Sequence, residues 1–77
     1  MTALDELVAY INRELVKGRG APIDPDTPLF EDGLIDSLNI LQLIAFVEVR
    51  RGRGIPDRDI VMDRFRTPRH ITEAFLS

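Results

Sequence analysis

The chain has 77 residues, no cysteine and a formal net charge of −3. That length holds one domain, residues 1–77, with one small core and no room for an enclosed catalytic cleft. The missing cysteines exclude disulfides, thiolate metal sites and a cysteine nucleophile.

The charge is uneven. Through Glu48 there are nine acids and three bases; from Val49 onward there are four acids and seven bases. An acidic first half argues against nucleic-acid binding as the main role, and only the basic second half speaks for it. The opening residues, Met1 to Glu6, lack the basic-then-apolar order of a signal peptide. The longest uncharged run, Ser37 to Val47, is too short to span a bilayer. A soluble cytoplasmic protein with no membrane contact is therefore expected.

In chain order, the spacing predicts an amphipathic helix from Thr2 to Lys17. Leu4, Leu7, Val8, Ile11 and Leu15 form one apolar stripe of 3.6-residue period. Thr2 with Asp5 fits a capping box, and Lys17 and Gly18 suit the stop.

From Gly18 to Asp36 the period is lost, and Gly18, Gly20, Pro22, Pro25, Pro28 and Gly33 mark a loop. It is long for so small a domain. Its apolar residues Ile23, Leu29, Phe30, Leu34 and Ile35 predict that it is ordered and pinned to the core.

A second helix is expected from Ser37 to Arg50, capped by either Asp36 or Ser37. Ile40, Leu43, Ile44 and Val47 share one side. Leu38, Leu41, Ala45 and Val49 share roughly the opposite side. A chain too small to surround a helix leaves one of two apolar faces for a partner.

Arg50 to Gly54 ends this helix. Pro56 to Asp59 can start a short helical turn, with Ile60, Val61, Met62 and Phe65 as core contacts. Thr67 as N-cap and Pro68 at the first helical position begin a last helix that runs to Leu76, with Ile71, Ala74 and Phe75 inward. The expected fold is all-α, a small four-helix bundle of three main helices and one short one, with a long ordered loop between helices 1 and 2.

Ser37 is the residue around which chemistry is sought. As a nucleophile it lacks the means. The single histidine, His70, belongs to the last helix, and no Gly-x-Ser-x-Gly elbow is present. No catalytic residue is expected. As a substrate for modification it is better placed, since the start of a helix favours an attached phosphate. Taken alone, a capping serine is the commoner explanation. Asp24, Asp26, Glu31, Asp32 and Asp36 lack calcium-loop spacing, so turn and cap residues and no metal are expected. Arg50, Arg51 and Arg53 read as a solvated helix end, with contact to phosphates as the rarer reading.

The whole pattern resembles an acyl or peptidyl carrier protein, the phosphopantetheine-binding carrier family. The matching pieces are the first amphipathic helix, the loop Asp26-Thr27-Pro28-Leu29-Phe30-Glu31-Asp32-Gly33, and then Leu34-Ile35-Asp36-Ser37-Leu38. The apolar second helix, the short third element and the Thr67-Pro68 start complete it. The resemblance implies that Ser37 is the attachment serine for a 4′-phosphopantetheine arm taken from coenzyme A, with Asp36 the neighbouring acid. It implies that Leu38, Leu41 and Ala45 are the positions partner enzymes grip, in agreement with the second apolar face.

The implied partners are a phosphopantetheinyl transferase, an adenylating ligase or acyltransferase that loads the cargo, and a downstream transferase or synthase. The protein would be a monomer that carries an acyl or aminoacyl thioester and is not itself an enzyme. Asn39 and Gln42 are neutral where carriers of fatty-acid synthesis are often acidic. With the pattern at Asp63, Phe65 and Thr67, this points to a free-standing carrier of specialised metabolism. The alternatives are a fatty-acid acyl carrier, or a helical interaction module in which Ser37 is only a cap.

Overall fold

The computed structural model describes residues 2–16, 22–31 and 35–76. Lys17, Gly18, Gly20, Asp32, Gly33 and Leu34, to which the sequence gives stop, turn, acidic and anchor roles, lie outside the described residues.

The first helix, α1 (Ala3–Tyr10), begins with the expected capping box. Asp5 N–H donates to Thr2 Oγ1 at 3.1 Å, and Thr2 N–H donates to Asp5 Oδ2 at 3.4 Å. The helix runs straight on into a π-wound turn, Ile11–Leu15, closed by Val16 N–H on the Ile11 carbonyl. Leu7, Ile11 and Leu15 are the buried stripe.

The loop is tied down as its apolar residues predict. Ile23, Leu29 and Ile35 are buried, and Phe30 packs partly buried against the core. Its polar tethers are less visible in the sequence. Asn12 on the π turn exchanges two hydrogen bonds with Ile23: Nδ2 donates to the Ile23 carbonyl at 3.2 Å, and Oδ1 accepts its N–H at 2.7 Å. Leu29 N–H reaches the Arg66 carbonyl and Arg69 N–H reaches the Pro25 carbonyl, at 2.9 and 3.0 Å. Asp24 caps its own turn, accepting from Asp26 N–H and the Thr27 hydroxyl.

Helix α2 (Ile40–Arg51) starts three residues later than expected, because residues 37–39 form a turn that leads into it. Leu43 and Val47 are fully buried, with Ile40 and Ile44 packed beside them. Gly52 closes the helix at φ +77°, a conformation open to glycine at little cost, and its N–H bonds to the Glu48 carbonyl. Glu48 also accepts Ile55 N–H on its carboxylate at 2.7 Å, and so turns the chain back onto the core. Arg50 pairs with Glu6 of α1.

The short turn appears as a 3₁₀ segment, Asp57–Asp59, followed by a one-turn helix α3 (Met62–Phe65). Here two expectations are corrected. Val61 and Met62 are exposed, not core. A helix of one turn has room for one buried position, and Phe65, the largest of these side chains, takes it. Ile60 is half-buried.

The last helix, α4 (Pro68–Ile71), opens as predicted with Thr67 accepting His70 N–H and Pro68 in the first turn. It ends in a second π-wound segment, Thr72–Leu76. This helix packs against both α1 and α2. Phe75 meets Phe65 with ring centroids 5.2 Å apart, while Tyr10 of α1 stacks on Phe46 of α2 at 4.1 Å. Each fully buried Leu, Ile or Phe in this core contributes about 1.5–3 kcal/mol relative to exposure. The described residues are all helix, turn and loop, the expected all-α bundle.

Candidate functional site

Ser37 stands where the tethered loop meets α2. The tethers run in series toward it. Leu29 hangs from the Arg66 carbonyl, and Ile35 N–H bonds to the Leu29 carbonyl at 2.9 Å with its side chain buried. The next residue, Asp36, comes out of the core already placed.

Asp36 is the cap. Its Oδ1 accepts Leu38 N–H at 2.8 Å and Asn39 N–H at 3.0 Å, and its carbonyl accepts Ile40 N–H at 3.0 Å. Asn39 answers by accepting Asp36 N–H on Oδ1 at 2.7 Å. This is a reciprocal capping box with Asp and Asn in the usual Ser/Thr and Glu/Gln places. Sequence reading left the cap open between Asp36 and Ser37 and missed Asn39. The signal was there in the three-residue spacing of two residues that both accept from backbone N–H groups.

With the cap assigned to Asp36, the Ser37 hydroxyl is exposed and takes part in no hydrogen bond among the described residues. The N–H groups of Leu38 and Asn39 are spent on Asp36. A phosphate on Ser37 would therefore feel the positive end of the helix but would not collect those two donors.

Behind Ser37, α2 presents the outer apolar stripe that its sequence predicts. Leu38 is 81% exposed, Leu41 68% and Val49 79%, with Ala45 exposed between them. Leu43 and Val47 are wholly enclosed on the opposite side.

His70 is engaged in the cap of the last helix. Its Nδ1 lies 2.6 Å from Thr67 Oγ1 in the cap of α4. Among the loop acids, Asp26 holds Arg69 through contacts of 2.8 and 3.3 Å, and that hydrogen bond keeps its carboxyl below the ordinary aspartate range. Tyr10 is pushed up by burial and then by Glu14, with Arg13 opposing. Among the described residues no group of His, Asp and Glu is arranged to hold a metal ion, and no helix is long and apolar enough to cross a membrane.

Among the described residues four α-helices are present, with an exposed serine outside the cap at the head of the second. The family described as "Phosphopantetheine attachment site" matches residues 5–75, and the chain belongs to it. It is a carrier protein, and its prosthetic group is 4′-phosphopantetheine.

Among curated proteins the chain is 32% identical over 68 residues to a D-alanyl carrier protein of Bacillus velezensis, covering 88% of this chain and 81% of that one. A D-alanyl carrier protein of Bacillus pumilus is 32% identical over 50 residues, 65% of this chain and 64% of that one. The lincomycin biosynthesis protein LmbN of Streptomyces lincolnensis is 34% identical over 88% of this chain, which spans only 24% of LmbN. The fold superposes with a TM-score of 0.79 on a chain from the crystal structure of an FAD-dependent dehydrogenase, at 29% identity, covering 88% of this chain and 96% of that chain.

The site fits the group on its own chemistry. An exposed primary hydroxyl that serves no cap is free to be esterified, and Asp36 fixes the backbone on which it stands. When attached, the arm supplies a terminal thiol that bears cargo as a thioester. What this chain itself does is to hold Ser37 at the helix mouth and to present the stripe of α2 beside it.

Proposed function

We propose that this chain carries an acyl or aminoacyl group as a thioester on a phosphopantetheine arm attached to Ser37, and delivers it to partner enzymes in specialised metabolism. The observation that carries the assignment to Ser37 is the division of labour at the start of α2. Asp36 and Asn39 cap the helix, while the serine between them has an exposed hydroxyl outside the cap. Asp36 acts by orientation, as a positioning residue.

An aminoacyl cargo is supported by the relatives named as D-alanyl carrier proteins, and a biosynthetic setting by the relative named for lincomycin. An adenylating ligase is then the class of enzyme that loads it, after a phosphopantetheinyl transferase has attached the arm. Leu38, Leu41 and Ala45 are the surface these enzymes grip. A neutral docking helix, with Asn39 and Gln42 in place of acids, favours these partners over those of fatty-acid synthesis. The chemistry belongs to the partners.

Incubation with coenzyme A and a broad-specificity transferase tests the assignment. Intact mass is expected to rise by one phosphopantetheine group, and not to rise in Ser37→Ala. A gain of mass in Ser37→Ala would place the arm elsewhere.

A further inference from the structure

An open cleft of about 430 Å³ lies where the start of α1, the end of α2 and the end of the last helix meet. It is turned away from the stripe of Leu38, Leu41, Ala45 and Val49. Arg50, Arg51 and Arg53 line it, with Ala3, Phe75 and Leu76 as the apolar part of its wall. Arg50 is paired with Glu6. Arg51 lies over the Phe75 ring, 5.3 Å from its centroid, and its Nε and Nη1 are enclosed with no acceptor among the described residues. Arg53 is exposed, and neither it nor Arg51 has an ion pair among the described residues.

A guanidinium stays charged at any pH at which the protein folds. Enclosed donors of a cation that meet no acceptor are an exception with a cause, and an ion is one such cause. Protein closes off two of the Arg51 nitrogens, so a counter-charge has one approach left, the cleft that the side chain lines. The helix ends that meet here do not cancel the two cations. Each end carries about half an elementary charge. The start of α1 at Ala3 is positive, and the ends of α2 and of the last helix are negative, so the cleft stays positive. Its apolar walls concentrate that field, in a chain whose net charge is negative.

We propose that this cleft binds a phosphate group as its dianion, and that occupancy ties together the ends of α1, α2 and the last helix. A dianion matches two unpaired guanidinium groups in charge, where a simple carboxylate would match one. The planar fork of N–H donors suits phosphate oxygens, and the Phe75 ring holds the Arg51 fork in place. Arg51 stands 14 positions beyond Ser37, roughly 20 Å along the helix axis. Occupancy therefore leaves arm attachment alone, and the site is independent of the carrier reading.

The test uses the full chain, melted at increasing inorganic phosphate with sodium chloride adjusted to constant ionic strength. The midpoint is expected to rise and then level off, because a ligand of the folded state stabilises it by mass action. Phosphate excluded from the surface at large would instead raise it without saturation. Arg53→Gln is expected to weaken binding about fivefold, the scale of one exposed charge pair. Arg51→Gln, which also loses its place on Phe75, is read by the increment that phosphate adds, expected to vanish. Amide ¹H–¹⁵N shifts should gather at residues 50–54 and 74–76. Glycerol 3-phosphate runs in parallel: binding of both probes assigns the site to the phosphate group however carried, and binding of inorganic phosphate alone to the free ion. A rise that does not saturate, an increment unchanged in both variants, or shifts centred on residues 36–39 would overturn the proposal.

Discussion

Asp36 and Asn39 cap one another across the first turn of the helix that bears Ser37. Each side chain accepts the other's backbone N–H, at 3.0 and 2.7 Å. The serine between them is fixed by its neighbours' bonds. Asp36→Ala is expected to cost about 1 kcal/mol of stability, the usual loss for a cap. It should also slow arm attachment by more than its effect on the folded fraction, because the turn carrying the hydroxyl frays. Asn39→Ala should do the same to a smaller degree. Denaturation curves and the time course of mass gain separate the two effects. Unchanged loading in a destabilised Asp36→Ala would show that the cap serves the fold only.

Leu41 and Leu43 are two residues apart, one 68% exposed and the other fully buried. Leu43→Asp puts a charge into the core and is expected to unfold the chain. Leu43→Ala, which leaves a cavity, should cost about 2–5 kcal/mol. Leu41→Asp is expected to melt as the parent does while impairing loading or transfer by partner enzymes. Circular dichroism and a loading assay on each variant check the assignment. A collapsed spectrum for Leu41→Asp would place that side chain in the core.

Asn12→Ala removes both bonds that hold Ile23. It leaves a part-buried backbone N–H and carbonyl without partners. A loss of about 1–3 kcal/mol is expected. Hydrogen exchange should speed up at Ile23 before it does in α2, since the tether acts on the loop. Equal acceleration everywhere would mean that the loop and the bundle open as one unit.

Asp26 titrates below the ordinary aspartate value because Arg69 hydrogen-bonds its charged form. A carboxyl depressed in the folded state adds stability above its unfolded value, about 3.9. That contribution disappears as pH falls through the folded value. The stability difference between the parent and Asp26→Asn is therefore expected to be level from neutral pH to about 4, and to close below it. Melting curves at a series of pH values test this. A gap that persists in acid would show that the Asp26 contribution is not ionic. Both groups are solvent-exposed, so the difference should also shrink with salt.

The parts of the fold legible in the sequence are those with local causes. Thr2 with Asp5, and Thr67 with Pro68, announce their helix starts within four residues, and the structure has both. The two sides of α2 follow from a 100° turn per residue in a chain too small to cover both. What escaped depends on pairs distant in sequence. Asn12, to which the sequence analysis gives no role, is the clamp on a loop eleven residues away. Glu48, also given no role there, is the acceptor that turns the chain at Ile55. Val61 and Met62 read as core because they are apolar, but the brevity of α3 leaves them outside. At the site itself, Ser37 and Asp36 stand out only through the resemblance of the whole chain, since a serine at a helix start is by itself most simply a cap. The cap that frees the serine depends on Asn39, an unusual substitute for Glu or Gln.

The bonding around Asp36 has one more consequence. A chemical handle that takes part in a protein's own bonding disturbs the protein each time it is used. Ser37 has no such duty among the described residues. Adding a group to its oxygen withdraws nothing from the bundle, and stripping the group away restores nothing to it. Bare, armed and laden forms can then share one body of nearly constant stability. With the arm on Ser37 as proposed, partner enzymes would have to tell these forms apart largely by what hangs from the serine.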